Sequence, residues 1–527
     1  MANIEIIKKF FSKNYLSILV VILFLAFFFL LHWNSFDSPW ERDEGEYAYS
    51  AWLMTQDKIP YRDSFVQKPP LIIYTYYFSQ LIKPLALWPP RVLGFIFTLS
   101  SCILLAMIAK KLYGPKAAWF ALWVSPLLLT LPSLFALAAN TEKFMLLPLI
   151  GLLALFVFYK DEDKKIIYFF AGALSSLAIL YKPIALMTIT VLLIYWLSYN
   201  WRSNKDINKL LVAGGYIFFG VLITVFLSLA YFIFNGAMGD MWQQVVVYNA
   251  SYVADMKRYF PGLFFHYLKL FLNSWPLIIL LTVSAFILRP KLLFLLWFLL
   301  LVSLLSVCFA TVGHYYLLIM PFLILISAGA YIKFIDKLEV KEEEWKNVIL
   351  AAIVIITISI SFSMIAEQFF FSPQGLSIWI YGEDNPFNES DLVAQKIKEN
   401  TKLGEKIFIA GSEPQIYYFS QRESVSKFDI TYPVSTKTVW ADIYQSKIIN
   451  DLNKNKPAAI ILSLRSSSGF LNQAPPILLI DYLSLDLKNN FRLIGGVGLD
   501  SEKKAFWEDA GRISQQSDLS FLLYIRK

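Results

Sequence analysis

The sequence predicts an α-helical polytopic membrane protein of about eleven transmembrane helices, followed by an extracytoplasmic C-terminal α/β domain. Three observations carry this. Apolar runs of about 18 residues or more recur over the first two-thirds of the chain, each long enough to cross a ~30 Å hydrocarbon layer as a helix. Of the 527 residues, 57% are hydrophobic and only 16% charged, with a mean hydropathy of +0.54, unlike an ordinary soluble domain. Beyond Glu367 the apolar runs give way to short β-like segments separated by polar, helix-prone stretches.

The expected spans are 15–33, 91–109, 117–134, 143–159, 166–181, 184–200, 210–234, 266–288, 292–310, 315–333 and 347–365. The first follows Lys8, Lys9 and Lys13 and looks like a signal peptide. It is long, lacks a small-residue cleavage pattern and precedes further spans, so it is read as a retained helix. With the N-terminus in the cytoplasm, inner segments hold 17 basic residues and the longer outer segments up to residue 314 hold 8. The positive-inside rule therefore puts the N-terminus in the cytoplasm and the acidic first loop outside, and the expected location is the cytoplasmic membrane. An odd number of spans puts the C-terminal domain outside. The net charge of +8 is accounted for by these flanking lysines, and no nucleic-acid partner is implied. Cys102 and Cys308 both fall in apolar runs, which argues against a disulfide framework.

The first outer loop, residues 34–90, carries the densest charge beside the membrane. Glu41, Asp43, Glu44 and Glu46 cluster with Arg42 within six positions. From Asp43 to Gln56, Tyr47, Ala48, Ala51, Trp52 and Met54 recur at helical spacing, which suits a helix lying in the interface with its rings at headgroup level. A second helix is expected from Pro69-Pro70 to about Ile82. In the C-terminal domain, Lys406–Ala410 and Ala458–Leu462 read as strands and Asp391–Asn400 as a helix. Gly495-Gly496-Val497-Gly498 lacks the strand-to-helix context of a nucleotide-binding loop.

The acidic pair Asp43-Glu44, followed by Pro60-Tyr61-Arg62-Asp63 and Lys68-Pro69-Pro70, resembles the first loop of the GT-C membrane glycosyltransferases. Within them it is most similar to the protein mannosyltransferase and aminoarabinose transferase relatives. The resemblance covers roughly residues 10 to 365. It implies a glycosyltransferase that takes sugar from a polyprenyl-phosphate carrier, with inversion, and delivers it to a glycan, lipid or protein acceptor. On that pattern Asp43 is the candidate base with Glu44 in support. Acidic residues in a first helical turn also cap free N–H groups and complement the helix dipole, which is the structural alternative for any one of them.

Lys68 is the candidate donor-phosphate ligand. A cation just before a helix N-terminus opposes the dipole unless an anion joins it, although a snorkelling lysine also fits. Arg62, Arg258, Lys182 and His314 are the further phosphate-binding candidates. Lys182 equally suits a turn, and His314, in a Gly313-His314-Tyr315-Tyr316 segment similar to one in the family, equally suits an interfacial histidine. Glu142, in Asn140-Thr141-Glu142-Lys143, and Tyr61 are read as acceptor-side residues, with a capped helix start the alternative for Glu142. Some family members bind a metal through a carboxylate just before the lysine. Here that position is Gln67, a poor ligand, so no cofactor is assigned and a divalent cation stays open. Two rival readings exist. A transporter or flippase for lipid-linked sugars would place charges mid-span, and these spans have almost none. A sensor built on the outer domain leaves the acidic loop unexplained.

Overall fold

A computed structural model describes residues 19–256, 262–310, 312–338, 342–435, 438–471, 475–514, 516 and 518–527. Helix α1 (Leu19–Ser35) leads into the first loop, which holds α2 (Arg42–Met54) and α3 (Leu71–Ile82). The bundle continues with α4 (Trp88–Tyr113), α5 (Pro115–Leu129), α6 (Thr141–Tyr159), α7 (Lys165–Tyr181), α8 (Leu186–Asn204) and α9 (Ile207–Phe234). Short α10 (Met238–Trp242), a π-turn over Gln243–Tyr248 and α11 (Asn249–Met256) follow. The second half comprises α12 (Gly262–Ser274), α13 (Pro276–Leu288), α14 (Leu293–Val307), a 3₁₀ segment Gly313–Ile319, α15 (Met320–Lys337) and α16 (Glu343–Ile365).

Among the described residues, six helices are long and apolar enough to cross a membrane: Trp88–Tyr113, Thr141–Tyr159, Pro183–Ser203, Ile207–Phe234, Gly313–Lys337 and Glu343–Ser363. Other expected spans fall on shorter helices. The span expected at 266–288 is not one straight helix but the pair Phe264–Asn273 and Pro276–Leu288, bent by 98°. Pro276 has no N–H to donate, and its ring disfavours a helical Trp275, which sits at φ −136°, ψ 47°. Helices α7 and α9 touch backbone to backbone: a Cβ on Gly172 would stand 1.9 Å from the Ile217 carbonyl oxygen. On its other side α9 exposes Phe218, Leu222, Phe226 and Leu227, an apolar face suited to lipid.

The C-terminal α/β unit begins with α17 (Pro373–Tyr381) and α18 (Ser390–Asn400). Its sheet has the order β1 (Ile407–Ala410), β2 (Ala459–Ser463), β5 (Leu519–Arg526), β3 (Phe491–Leu499), β4 (Ala505–Asp509). β1 and β2 are parallel, as a crossover through α19 (Gln415–Ser420), α20 (Tyr432–Ser435) and α21 (Ala441–Asn455) requires. Helix α22 (Ile477–Asn490) precedes β3. The two expected strands and the helix before them are present. The four residues Gly495 to Gly498 lie inside β3, where Gly495 lets Trp507 of the neighbouring strand pack closely.

The expected interfacial position of α2 is not what forms. Tyr47, Ala48, Tyr49, Ala51 and Trp52 are all buried, and they share one core with Tyr417, Ile416 and Ile409 of the C-terminal unit. Helix α3 packs on the face that the sequence pattern assigns to the membrane surface, with Tyr76 against Tyr47 and Gln80 donating to the Ala48 carbonyl, while the C-terminal unit covers another face. It is α3 that keeps an apolar edge open, with Phe78, Leu81 and Ile82 exposed. The bundle ends differ in chemistry. Arg91, Glu142, Lys182 and His314 gather at the end beneath the C-terminal unit, while Tyr113, Lys116, Lys291 and Glu343 meet at the other.

Candidate active site

Helix α2 begins with a capping box. The Glu41 side chain accepts from the Asp43 and Glu44 backbone N–H groups, and Glu44 accepts in return from Glu41 N–H. One helical turn then sorts the acids by face. Glu44 is fully buried and clamped by Arg91, with Nε 2.9 Å from Oε1 and Nη2 2.5 Å from Oε2. Its Oε1 also accepts from Ala139 N–H at 2.9 Å. Asp43 and Glu46, three residues apart, look the other way, toward Lys68. Asp43 Oδ1 is 3.6 Å from Lys68 Nζ, and Glu46 Oε2 is 4.0 Å from it.

Lys68 is held from behind. Tyr61 donates from its hydroxyl to the Lys68 carbonyl at 2.7 Å, and Gln244 bridges Tyr61 O and Val66 N–H. Asn249 donates to Gln67 O at 2.7 Å. The bundle supplies a second ion group. Lys182 Nζ lies 2.9 Å from Glu142 Oε1 and 4.3 Å from the centre of the Tyr315 ring, and His314 Nε2 is 3.7 Å from the same Glu142 oxygen. The 2.9 Å contact is an ion pair without hydrogen-bond alignment, since neither atom has a hydrogen-bond partner among the described residues.

The electrostatics split the two acids of α2. Burial raises the Asp43 pKa, but Lys68 and the cations beyond it outweigh that and hold it down to about 2. Burial pushes the Glu46 carboxyl up to about 7, with Lys68 opposing and Asp43 reinforcing the shift. Burial also works against the Lys68 charge, but Asp43 and Glu46 hold its pKa well above the usual lysine range. Glu46 Oε1, the Tyr47 hydroxyl, His314 Nδ1 and both polar atoms of the Asn140 amide are buried with no hydrogen-bond partner among the described residues. Unsatisfied polar groups around a shared set of charges suit a polar ligand.

No family model matches the chain, and no curated protein matches it either. Solved structures do. The chain is similar to ArnT from Cupriavidus metallidurans bound to undecaprenyl phosphate, with a TM-score of 0.59 at 12% identity over 97% of this chain and 98% of that one. It is also similar to the Archaeoglobus fulgidus oligosaccharyltransferase AglB, in complex with an inhibitory peptide and a dolichol-phosphate. There the TM-score is 0.52 at 10% identity, over 96% of this chain and 75% of that one. Both are GT-C proteins and both match across membrane helices and C-terminal region together. The chain has the GT-C fold. It is, with that fold and its apolar helices, a multi-pass membrane protein.

On the GT-C fold the residues read from sequence fall into three groups. Asp43, Lys68, Glu142, Lys182 and His314 come together at one end of the bundle. Glu44 and Tyr61 lie behind them as supports. Arg62 is half exposed, pairs with Asp63 at 3.4 Å and lines a separate polar cavity of about 320 Å³ with Lys406 and Asp451. Arg258 lies outside the described residues. Glu46 belongs to the group, although the sequence ranks it no higher than its acidic neighbours; its i, i+3 spacing from Asp43 is the signal that was there to use. Among the described residues no three His, Cys, Asp or Glu side chains converge as ligands, and Lys68 and Lys182 already stand among the carboxylates.

Proposed function

We propose that this protein is an inverting membrane glycosyltransferase. It moves a sugar from a polyprenyl-phosphate donor to an acceptor hydroxyl on a cell-envelope glycan, lipid or protein. The observation that carries this is Lys68 set between Asp43 and Glu46 at the bundle end where Lys182, Glu142 and His314 converge. The neighbours bound to undecaprenyl phosphate and dolichol-phosphate support the same class of donor.

In this reading the donor phosphate binds at Lys68, with Lys182 and His314 beyond it. Phosphate at Lys68 draws that cation away from Asp43 and restores basicity to the carboxylate. The acceptor hydroxyl passes its proton to Asp43 as its oxygen bonds to the anomeric carbon. The bond from that carbon to the phosphate oxygen breaks on the opposite face, and the leaving polyprenyl phosphate goes from one negative charge to two. Lys68 and Lys182 meet that added charge, so they act most strongly in the transition state. Glu142 holds Lys182 and His314 in place and faces the acceptor. Glu44 and Tyr61 position Asp43 and Lys68.

The same reading places the site, the first loop 34–90 and the α/β domain 366–527 on the outer face of the cytoplasmic membrane. It assigns eleven crossings to residues 1–365 and a cytoplasmic N-terminus. The basic residues of the opposite bundle end support that orientation. The test is transfer by purified protein in detergent. Turnover is expected with a polyprenyl-phosphate sugar and not with UDP- or GDP-sugars. Sustained transfer from a nucleotide sugar with no lipid carrier present would overturn the reading.

A further inference from the structure

Arg42 immediately precedes Asp43, yet its side chain leaves the charge cluster and enters the C-terminal unit. Its Nε donates to Ser412 O at 2.6 Å, Nη2 to Glu413 Oε1 at 3.1 Å and Nη1 to the Tyr432 hydroxyl at 3.1 Å. The guanidinium also lies 5.1 Å from the centre of the Tyr432 ring. Glu413 is fully buried, and its second oxygen accepts from Ser468 Oγ at 2.6 Å, which ties the contact to the loop after β2.

Two more residues on the same face of α2 make the contact tight. A Cβ on Gly45 would stand 2.7 Å from the Gln415 backbone nitrogen, so only glycine admits α19 at this distance. Tyr49 accepts at its hydroxyl from Ser424 N–H at 2.8 Å. Positions 42, 45 and 49 therefore face the C-terminal unit, 43 and 46 face Lys68, and 44 faces Arg91. Nothing about this arrangement requires the C-terminal unit to touch a substrate. What it does is fix the rotation of α2 about its own axis.

We propose that the C-terminal α/β unit is a positioning element of the active site, and that Arg42 is the residue through which it acts on Asp43. The inference rests on the glycosyltransferase reading and adds a role for the C-terminal unit. A carboxylate on a helix stands about 5 Å from the axis, so a rotation of about 20° moves it by about 2 Å. A displacement of that size at the reacting groups costs on the order of 100-fold in rate. The backbone that carries Lys68 is anchored through Tyr61, Gln244 and Asn249 rather than through α2, so a rotation of α2 moves Asp43 while the donor lysine keeps its place.

The experiment measures kcat, donor KM and binding of free polyprenyl phosphate on the full-length protein in detergent. Arg42→Ala should lower kcat by roughly 100-fold, with donor KM and polyprenyl phosphate affinity within about threefold of wild type. Arg42→Lys, which keeps the charge but not the planar fork, should recover only part of the loss. Wild-type kcat in Arg42→Ala, or a loss confined to donor affinity, overturns the proposal. Should Arg42→Ala fail to give folded protein, Glu413→Gln keeps the shape of the contact and weakens it. A lowered kcat at unchanged donor KM is expected there, and an unchanged kcat overturns the proposal equally. Absence of transfer by the wild-type protein would count against the glycosyltransferase reading instead, so the two failures are distinguishable.

Discussion

Asp43 and Glu44, adjacent in the chain, serve different faces of one helix. Asp43 Oδ1 is 3.6 Å from Lys68 Nζ, whereas Glu44 Oε2 is 2.5 Å from Arg91 Nη2. The helix turns by about 100° between successive residues, which separates the position facing Lys68 from the one facing Arg91. Asp43→Asn keeps size and most hydrogen bonding but removes the basicity. It should abolish transfer while expression and thermal unfolding in detergent stay near wild type. Wild-type turnover by this variant would place the base elsewhere, with Glu46 the first alternative.

Glu44 should behave in the reverse manner. Its ion pair with Arg91 is buried at both ends, and removing one partner strands the other charge. Arg91→Ala or Glu44→Gln should cost about 3–5 kcal/mol of stability, read as a marked fall in unfolding temperature. The fraction that remains folded should retain measurable turnover. An unfolding temperature equal to wild type in both variants would contradict the structural role.

Glu46 sets a pH dependence. Its carboxyl is raised to about 7, so in the folded protein it gains charge as pH passes through 7, well above the pH at which an unfolded glutamate ionises. A carboxyl with a raised folded-state pKa contributes stability at low pH, and that contribution is lost as pH rises through about 7. The new carboxylate also competes with donor phosphate for Lys68. Donor KM should therefore increase from pH 6 to pH 8.5 in the wild type and stay nearly flat in Glu46→Gln. The unfolding temperature of Glu46→Gln should exceed wild type at pH 8 and approach it at pH 5. A donor KM with the same pH dependence in both proteins would rule this out.

Orientation is testable at exposed positions. Gln56 in the first loop and Leu403 in the C-terminal unit are exposed and lie at the site end, while Asp163 is exposed at the start of α7, away from it. Cysteines at the first two should react with an impermeant thiol reagent in intact cells. A cysteine at 163 should react only after lysis. Labelling at 163 from outside would invert the protein and remove the outer-face site.

The sequence by itself determined that this is a helical membrane protein with a small C-terminal sheet, and it singled out Asp43 and Lys68 as candidates, which the fold sets 3.6 Å apart. Hydropathy over a run, proline at a helix start and charge beside a span are local properties, readable along one dimension. The bend at Trp275-Pro276 was written locally too, but an average over 266–288 hides a break that leaves both halves apolar. Only the tertiary structure decided which partner each charged residue of the cluster meets, because the partners lie far along the chain: 47 residues separate Glu44 from Arg91, and 370 separate Arg42 from Ser412. The burial of α2 was decided there as well. An amphipathic helix with aromatic residues fits a membrane surface and a protein surface equally well; here α3 packs on the Tyr47–Ala48 face and the C-terminal unit, docked through Gly45 and Arg42, closes another.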